Sequence, residues 1–584
     1  MDDLTLRYYD AEMRYLLEAG EEFAKAHPDR AAMLNLNKTD ARDPYVERLF
    51  EGFAFLMGRL REKLDDDLPE LTEGVVSLLW PHYLRIIPSL SIVELKPDWK
   101  EMKESLLIAK GYEVLSRPIG EKHTRCRYTT TQDVTLQPIE LEKAKLTTDN
   151  EGRSVIQLRF QCSALSDLSQ IDFSHLPFYF NADAPLACAM HEAFTMNVDK
   201  IWLRMSNKAD RQPFDGYFTA LGFGDDDGLW PKGSSSFSGY QLLLEYFTFR
   251  EKFMFIGLRG LEKIDFPSDL SWFELDIILQ ERWEHDFDFS AKHLRLNCVP
   301  VVNLFTLESD PLILNSLQTE YMLRPMRVQD GHTEIYSIDT VISSNGQPYV
   351  PFSSFRHKGG MLRHEAPDYF YHTRVRRSPS GLHNTWLILG GEAFDKHLVP
   401  AGESLSLTLT GTNGQLPRRA LQSTILDTAV QDTAVNIRVQ NLCAPTLPCY
   451  PPDQDRFHWR VLSHLGSGFL SMMDNAEVLR GTLALYEWTN SEMNRRKLEA
   501  IMHVSHSEIE RFEQGYLIRG VQIEVTLDSN GFAGRGDICL FGEMLSRFFA
   551  LYTDIYLFNR LIVILQPTGE RLQWEEKHNR RIPG

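Results

Sequence analysis

The sequence predicts an α+β, multidomain chain: a helical N-terminal region, β-rich domains behind it, and a mixed α/β C-terminal domain. Three observations predict this. Apolar residues recur at heptad spacing through about the first 80 positions. From Ser91 onward apolar and polar residues alternate. After the proline-rich "CAPTLPCYPPDQD" (443–455) the two periodicities mix again. A chain of 584 residues exceeds what one core holds. The expected divisions are 1–90 (helical), 91–330 (β-rich body), 331–450 (second β-rich domain) and 451–584 (mixed α/β).

The helical part is read from spacing. Tyr9, Met13, Leu16, Gly20 and Phe23 form one seam, which His27-Pro28 stops. Asp43 is placed to cap a second helix, with Pro44 at its first position. There Val46, Leu49, Phe53, Leu56 and Leu60 step by three and four, and Phe50, Met57 and Leu64 add a line repeating every seven residues. Two adjacent lines are wider than the single stripe a surface helix needs. These eight residues are therefore the expected partner-binding set, with an intramolecular hairpin on the β body as the alternative.

"LLWPHYLRIIPS" follows a third short helix and turns the chain. Trp80-Pro81 ends the helix, and Ile87-Pro88 enforces an extended backbone before the strand "SIVEL". Trp80, Pro81, His82, Tyr83, Ile86 and Pro88 are the expected structural elbow, its aromatic load packed against the β body or another chain.

Strand patterns continue in "YEVLS", "SVIQLRFQC", "IWLRMS", "FELDIILQ", "LNCVPVVNLFTL", "EIYSIDTVIS", "TWLILGG", "ESLSLTLTGTN" and "TAVNIRVQNL". "DAPLACAMHEAF" and "YQLLLEYFTFREKF" interrupt them as helices. Near the end, Met544, Phe548 and Leu551 have helical spacing and "YLFNRLIVIL" reads as strand.

Composition limits the function. Hydrophobic content of 43% and charged content of 24% are those of a globular protein. A net charge of −19, with no basic cluster, disfavours nucleic acid and anionic lipid as partners. The N-terminus has no apolar segment of a signal peptide, and no run reaches the roughly 20 apolar residues of a membrane span. Seven scattered cysteines suggest a reducing, cytoplasmic setting without a disulfide framework.

Motifs for chemistry are incomplete. "GFGDDDG" (222–228) lacks the glycine spacing of a dinucleotide loop and reads as an acidic turn. One helical turn would present His503 and His506 together, but no third or fourth metal ligand is suggested, so a polar helix face or loop is expected. Cys443 and Cys449 fit no zinc module, and Ser463-His464 lacks a nucleophile elbow. "GRGD" (534–537) reads as a glycine turn in a hairpin-like context. No catalytic residue, metal or cofactor is expected.

"YYDAEMRYLLEAGEEFAKAHPDRAAML", "DPYVERLFEGFAFLMGRLREKLDDDLPEL" and above all "PHYLRIIPSLSI" resemble the TssF (VasA, ImpG) family of type VI secretion baseplate wedge proteins. "GYQLLLEYFTFREKFMF", "WRVLSHLGSGFLSMM" and "RGVQIEVTLDSNGFAGRGDICLFGEMLSRFFALY" are similar to family blocks in the same order. The resemblance implies a cytoplasmic structural subunit, docked at the inner face of the inner membrane through the assembled machine. It implies assembly with TssG, TssK and TssE, usually two TssF copies to one TssG, and a platform with hub and sheath components. The other function class left open by the residues is a multidomain β-rich carbohydrate-binding or carbohydrate-active protein.

Overall fold

The computed structural model describes Tyr9, Met13, Arg14, Leu16, residues 48–57, Val76 and residues 84–578. Within that last range it leaves out 121, 232–237, 269, 284–288, 316–317, 319, 327–331, 352–368, 379–382, 391–402, 420–423, 432, 434, 453–468, 514–515 and 553–556. The chain forms two compact units. One holds residues 1–79 and 454–463, and the other holds 80–453 and 464–584. In the smaller unit every described residue has helical backbone, and Ala54 and Val76 are fully buried.

The larger unit is a mixed α/β assembly of several sheets. Its first sheet is six-stranded and antiparallel, in the order Leu426–Ala429, Glu113–Ser116, Arg127–Thr130, Cys298–Val302, Leu90–Pro97, Ile437–Asn441. Asn441 joins the two edges: its side chain accepts from Leu426 N at 3.1 Å and donates to Thr424 O at 3.3 Å. The sheet so curls around Val93, Leu95, Tyr128, Val299, Val301 and Val439. Strands Leu426–Ala429 and Ile437–Asn441, which fall in the range grouped by the sequence as the second β-rich domain, are thus built into the sheet that contains Leu90–Pro97.

A second curled sheet runs from Phe305–Glu308 through Ser404–Thr412, Glu334–Ser343, Pro348–Pro351, Phe370–Arg377 and His383–Gly390 to Glu320–Met322. A bridge between Ser309 and Pro325 brings its ends together. The inward residues of "SLSLTLT", Leu405, Leu407 and Leu409, alternate with outward Ser and Thr and fill this core with Val341 and Leu387.

Inserted in sequence between two strands of the first sheet, Arg127–Thr130 and Cys298–Val302, are a five-stranded antiparallel sheet and a four-stranded one. Strand Trp272–Leu279 is central in the former, and its inward Phe273 stacks on Phe160 with ring centroids 4.7 Å apart. Strand Ile139–Thr148 is an edge of this sheet and carries Glu140, Glu142, Lys143 and Lys145. Two helices belong to this central region. Helix α1 (Ala184–Met196) has Pro185 in its first turn, where the missing N–H costs nothing, and α2 spans Ser238–Thr248.

The C-terminal region contributes α3 (Phe469–Asp474), α4 (Ala476–Ala484) and α5 (Glu492–Glu499). A long hairpin follows, Ile501–Glu513 with Tyr516–Asp528. Helix α6 (Arg535–Tyr552) then crosses over to strand Leu557–Gln566, which lies parallel to Tyr516–Asp528. Parallel neighbours require such a crossover, and Met544 and Phe548 of α6 are fully buried.

Candidate assembly surfaces

The expected partner-binding line is exposed where it is described. Leu49 is 65% exposed, Phe53 56% and Leu56 66%. Spaced four and three apart, they share one helix face. Met57 is also exposed and Phe50 half-buried, while Ala54, on the other side, is fully buried. Val46, Leu60 and Leu64 lie outside the described residues. Three large apolar side chains in line on one surface mark a contact site more often than scattered ones do.

Of the elbow, Trp80, Pro81, His82 and Tyr83 lie outside the described residues. Ile86 is half-buried, Pro88 is buried and Ile87 is 3% exposed. The segment is held by the proline-rich stretch, which the sequence presents as a boundary loop. Ile87 N donates to Cys449 O at 2.8 Å and Cys449 N to Ile87 O at 2.9 Å. Ser89 Oγ lies 2.9 Å from Tyr128 Oη in the first curled sheet. Arg85 sits over the ring of Tyr336 at 5.6 Å, and Tyr450 Oη reaches the carboxylate of Glu334 at 2.8 Å while stacking on His383. Arg85, Ser89 and Tyr450 thus carry the described contacts of this stretch to the two curled sheets.

Two motifs differ from their sequence reading. His503 and His506 stand in strand Ile501–Glu513, not on a helix or loop. Three apart in a strand, they face opposite sides. His503 is exposed, and His506 Nδ1 pairs with Asp474 at 2.5 Å. Ile501 and Val504, both fully buried, share one face because the extra residue at Met502 restores the alternation between them. Among the described residues, no cluster of three or more His, Cys, Asp or Glu is placed to hold a metal. All seven cysteines are free thiols, six of the environments pushing the thiol up by burial: Cys162 to about 12 and Cys188, Cys443 and Cys449 to about 11, with Cys298 and Cys539 also raised. "GFGDDDG" is the expected acidic turn, closed by Asp227 accepting from Gly224 N at 2.8 Å.

"GRGD" is not a hairpin turn but the start of α6, and it joins the C-terminal region to the central one. Gly534 has φ +142°, a conformation that side chains avoid. Arg535 reaches Glu192 on α1 at 3.0 Å, Glu281 at 2.5 Å and Glu570 at 3.0 Å. A Cβ on Gly536 would stand 2.3 Å from Cys188 O, so α1 and α6 cross with no room for one. Asp537 takes Lys497 at 2.5 Å and Arg250 at 3.2 Å. Burial lowers the Lys497 ammonium, and Asp537 opposes that shift. Farther along α6, burial pushes the Glu543 carboxyl up, but Lys577 and Arg547, each 2.7 Å away, outweigh it and hold it below its ordinary value. Charged residues inside the apolar run "GRGDICLFGEML" were the only sequence signal of this junction.

An apolar helix line on the surface and buried charges that join one region of the chain to another are features of a structural protein. Comparison with known proteins gives the particular kind. The sequence profile of the family described as "Type VI secretion system, TssF" matches residues 1–581, and the chain belongs to that family. It is 28% identical to the type VI secretion system component TssF1 of Pseudomonas aeruginosa, over the whole of both chains. It is similar to a chain in the cryo-electron microscopy structure of the TssK-TssF-TssG baseplate subcomplex, with 56% identity and a TM-score of 0.83, covering 92% of this chain and 100% of that one. A chain in a structure of the type VI baseplate complex is 54% identical with a TM-score of 0.70, covering 99% of this chain and 100% of that one. The carbohydrate-active alternative finds no support in these relatives.

Proposed function

We propose that the chain is a structural, non-catalytic subunit of the cytoplasmic baseplate wedge, assembling with TssG, TssK and TssE and with a second copy of itself, two copies to one TssG, into the platform that carries hub and sheath. The observation that carries this reading is the whole-length likeness to a chain in a TssK-TssF-TssG complex. The assembled machine docks at the inner face of the inner membrane, and no described helix is long and apolar enough to enter that membrane itself.

Within this reading, the N-terminal region (1–90) bundles through residues 5–64 with TssG and with a second copy of the chain, using Val46, Leu49, Phe50, Phe53, Leu56, Met57, Leu60 and Leu64. The exposure of Leu49, Phe53 and Leu56 supports that use. The C-terminal region mediates association between copies. The test is co-expression of the full chain with TssG, TssK and TssE. A stable complex with a fixed ratio of chains supports the reading. A chain that stays monomeric beside all three overturns it.

A further inference from the structure

The chain carries a net charge of −19, yet the structure gathers cations at one corner of the first curled sheet. The hairpin loop between strands Glu113–Ser116 and Arg127–Thr130, with its flanks, reads "RPIGEKHTRCR" (117–127), where Glu121 is the one acid. Arg117, Lys122, Arg125 and Arg127 are all exposed. The loop is fastened to the sheet. Ile119 is 7% exposed, belongs to the core of that sheet and is bridged to Thr124. Ser116 N donates to Cys126 O, and Cys126 N to Ser116 Oγ, each at 2.9 Å. Arg127 lies over the ring of Phe305 at 5.8 Å.

A second basic stretch lies against this loop. Arg127 N donates to Asn413 Oδ1 at 3.2 Å, and Arg117 N to Ile425 O at 2.9 Å. A Cβ on Gly120 would stand 3.9 Å from Leu416 Cδ1. Leu416 opens the short helix Leu416–Arg419, on which Arg418 is exposed. Two stretches far apart in sequence thus bring exposed cations to one corner. Asp427 takes Arg117 at 2.6 Å. That bond holds the Asp427 carboxyl below its ordinary value, and Arg125 adds to the shift. Arg125, Arg127 and Arg418 have no carboxylate paired to them among the described residues.

Cations gathered on one corner repel one another, and an acidic partner relieves that repulsion. Guanidinium groups take carboxylates two hydrogen bonds at a time. A nucleic acid or an anionic membrane presents a long array of charge, which the rest of this acidic chain repels. A short acidic segment meets the corner alone. We propose that Arg117, Lys122, Arg125, Arg127 and Arg418 form a docking site for an acidic protein segment, a run of Asp or Glu presented by a neighbouring chain. The proposal does not rest on the wedge assignment, because it names a chemistry and not a chain.

The test uses the full chain and a fluorescein-labelled hexaglutamate peptide, read by anisotropy at low salt. Saturable binding is expected, weakened about tenfold or more by Arg125→Glu with Arg418→Glu. Lys145→Glu with Lys200→Glu, which reverses exposed cations on the five-stranded sheet, should weaken it far less. Hydrogen exchange of the wild-type chain should slow under saturating peptide within 117–127 and 413–418. The exchange measurement needs no variant, so it decides the site even where a charge-reversed chain fails to fold. No binding, equal losses in the two double variants, or protection confined to other segments overturns the site. Tighter binding of a short DNA duplex or of phosphatidylserine vesicles than of the peptide overturns the choice of an acidic protein segment.

Discussion

Lys497 Nζ and Asp537 Oδ1 lie 2.5 Å apart with both side chains 1% exposed, and Arg250 joins the same carboxylate from the central region at 3.2 Å. One carboxylate thus pairs with two cations and ties together α5, α6 and the turn after α2. Removing the carboxylate leaves two cations without their partner, one of them fully buried. Asp537→Ala is expected to cost about 3–5 kcal/mol. It should lower the first thermal transition and expose the central region to protease. A melt superimposable on wild type would show that the pair does not hold the regions together.

Gly536→Ala tests the same junction by shape alone. The added methyl meets Cys188 O at 2.3 Å, and a backbone carbonyl in a helix does not move aside easily. Overpacking of this kind costs about 1–3 kcal/mol. The expected readout is a lowered melting temperature, with faster hydrogen exchange confined to α1 and α6. Deleting everything after Gly536 removes Asp537 and all of α6 beyond its start, so that truncation is expected to yield insoluble protein rather than a soluble subunit lacking one contact.

His191 on α1 is buried, neither ring nitrogen has a hydrogen-bond partner, and burial holds its pKa at about 4 against 6.5. His175 is also held at about 4, by burial and by Arg259. Both are neutral in the folded chain at pH 7. Below pH 6.5 the unfolded chain binds their protons more readily than the folded one does. The stability present above pH 6.5 is therefore lost as pH falls toward 4, by about 3 kcal/mol for His191. His191→Leu should make the slope of stability against pH in that window shallower, with His175 and His372, whose pKa burial also lowers, supplying part of the remainder. An unchanged slope in denaturant titrations at pH 6.5 and 4.5 would contradict this.

Phe53→Asp and Leu56→Asp place a charge on side chains that are 56% and 66% exposed. Neither should unfold the isolated chain, because a charge on the surface meets water. Both should abolish co-purification with TssG, since burying an unpaired charge at an interface costs several kcal/mol. Retention of TssG by both variants at wild-type yield would remove the apolar line from the assembly.

Much of the strand content was legible because alternation is local. "FELDIILQ" became strand Trp272–Leu279, and "SLSLTLT" became Ser404–Thr412. "DAPLACAMHEAF" became α1, signalled by Asp183 and Pro185 at its start. What stayed hidden depends on partners far along the chain. Nothing near Cys449 states that it will pair with Ile87, and nothing near Leu426 states that Asn441 will close a sheet onto it. The histidines of "MHVSHSEIERF" were misread because a spacing of three suggests a helical turn, whereas the bulge at Met502 had shifted a strand's alternation by one. In "GRGD" the glycines suggested a turn. They are there for a positive φ and for a helix crossing, which only the packed structure reveals. Of the apolar lines, the spacing was legible, while the exposure of Leu49, Phe53 and Leu56 was not, because exposure depends on how the rest of the chain packs.

The curling of the first sheet through Asn441 has a consequence for synthesis. Strand Leu90–Pro97 has one edge against Cys298–Val302 and the other against Ile437–Asn441. A ribosome adding about 5–20 residues per second needs roughly 20–70 s to go from the first of these strands to the last. Throughout that interval Val93 and Leu95 have no finished interior to enter, and the apolar helix line is already outside the exit tunnel. The second curled sheet, whose described strands all lie between Phe305 and Thr412, is complete before the first can close. The order of completion is thus nested, the second curled sheet before the first and the C-terminal region after both, and a nascent chain stalled before residue 437 would present unpaired strand edges to any chaperone within reach.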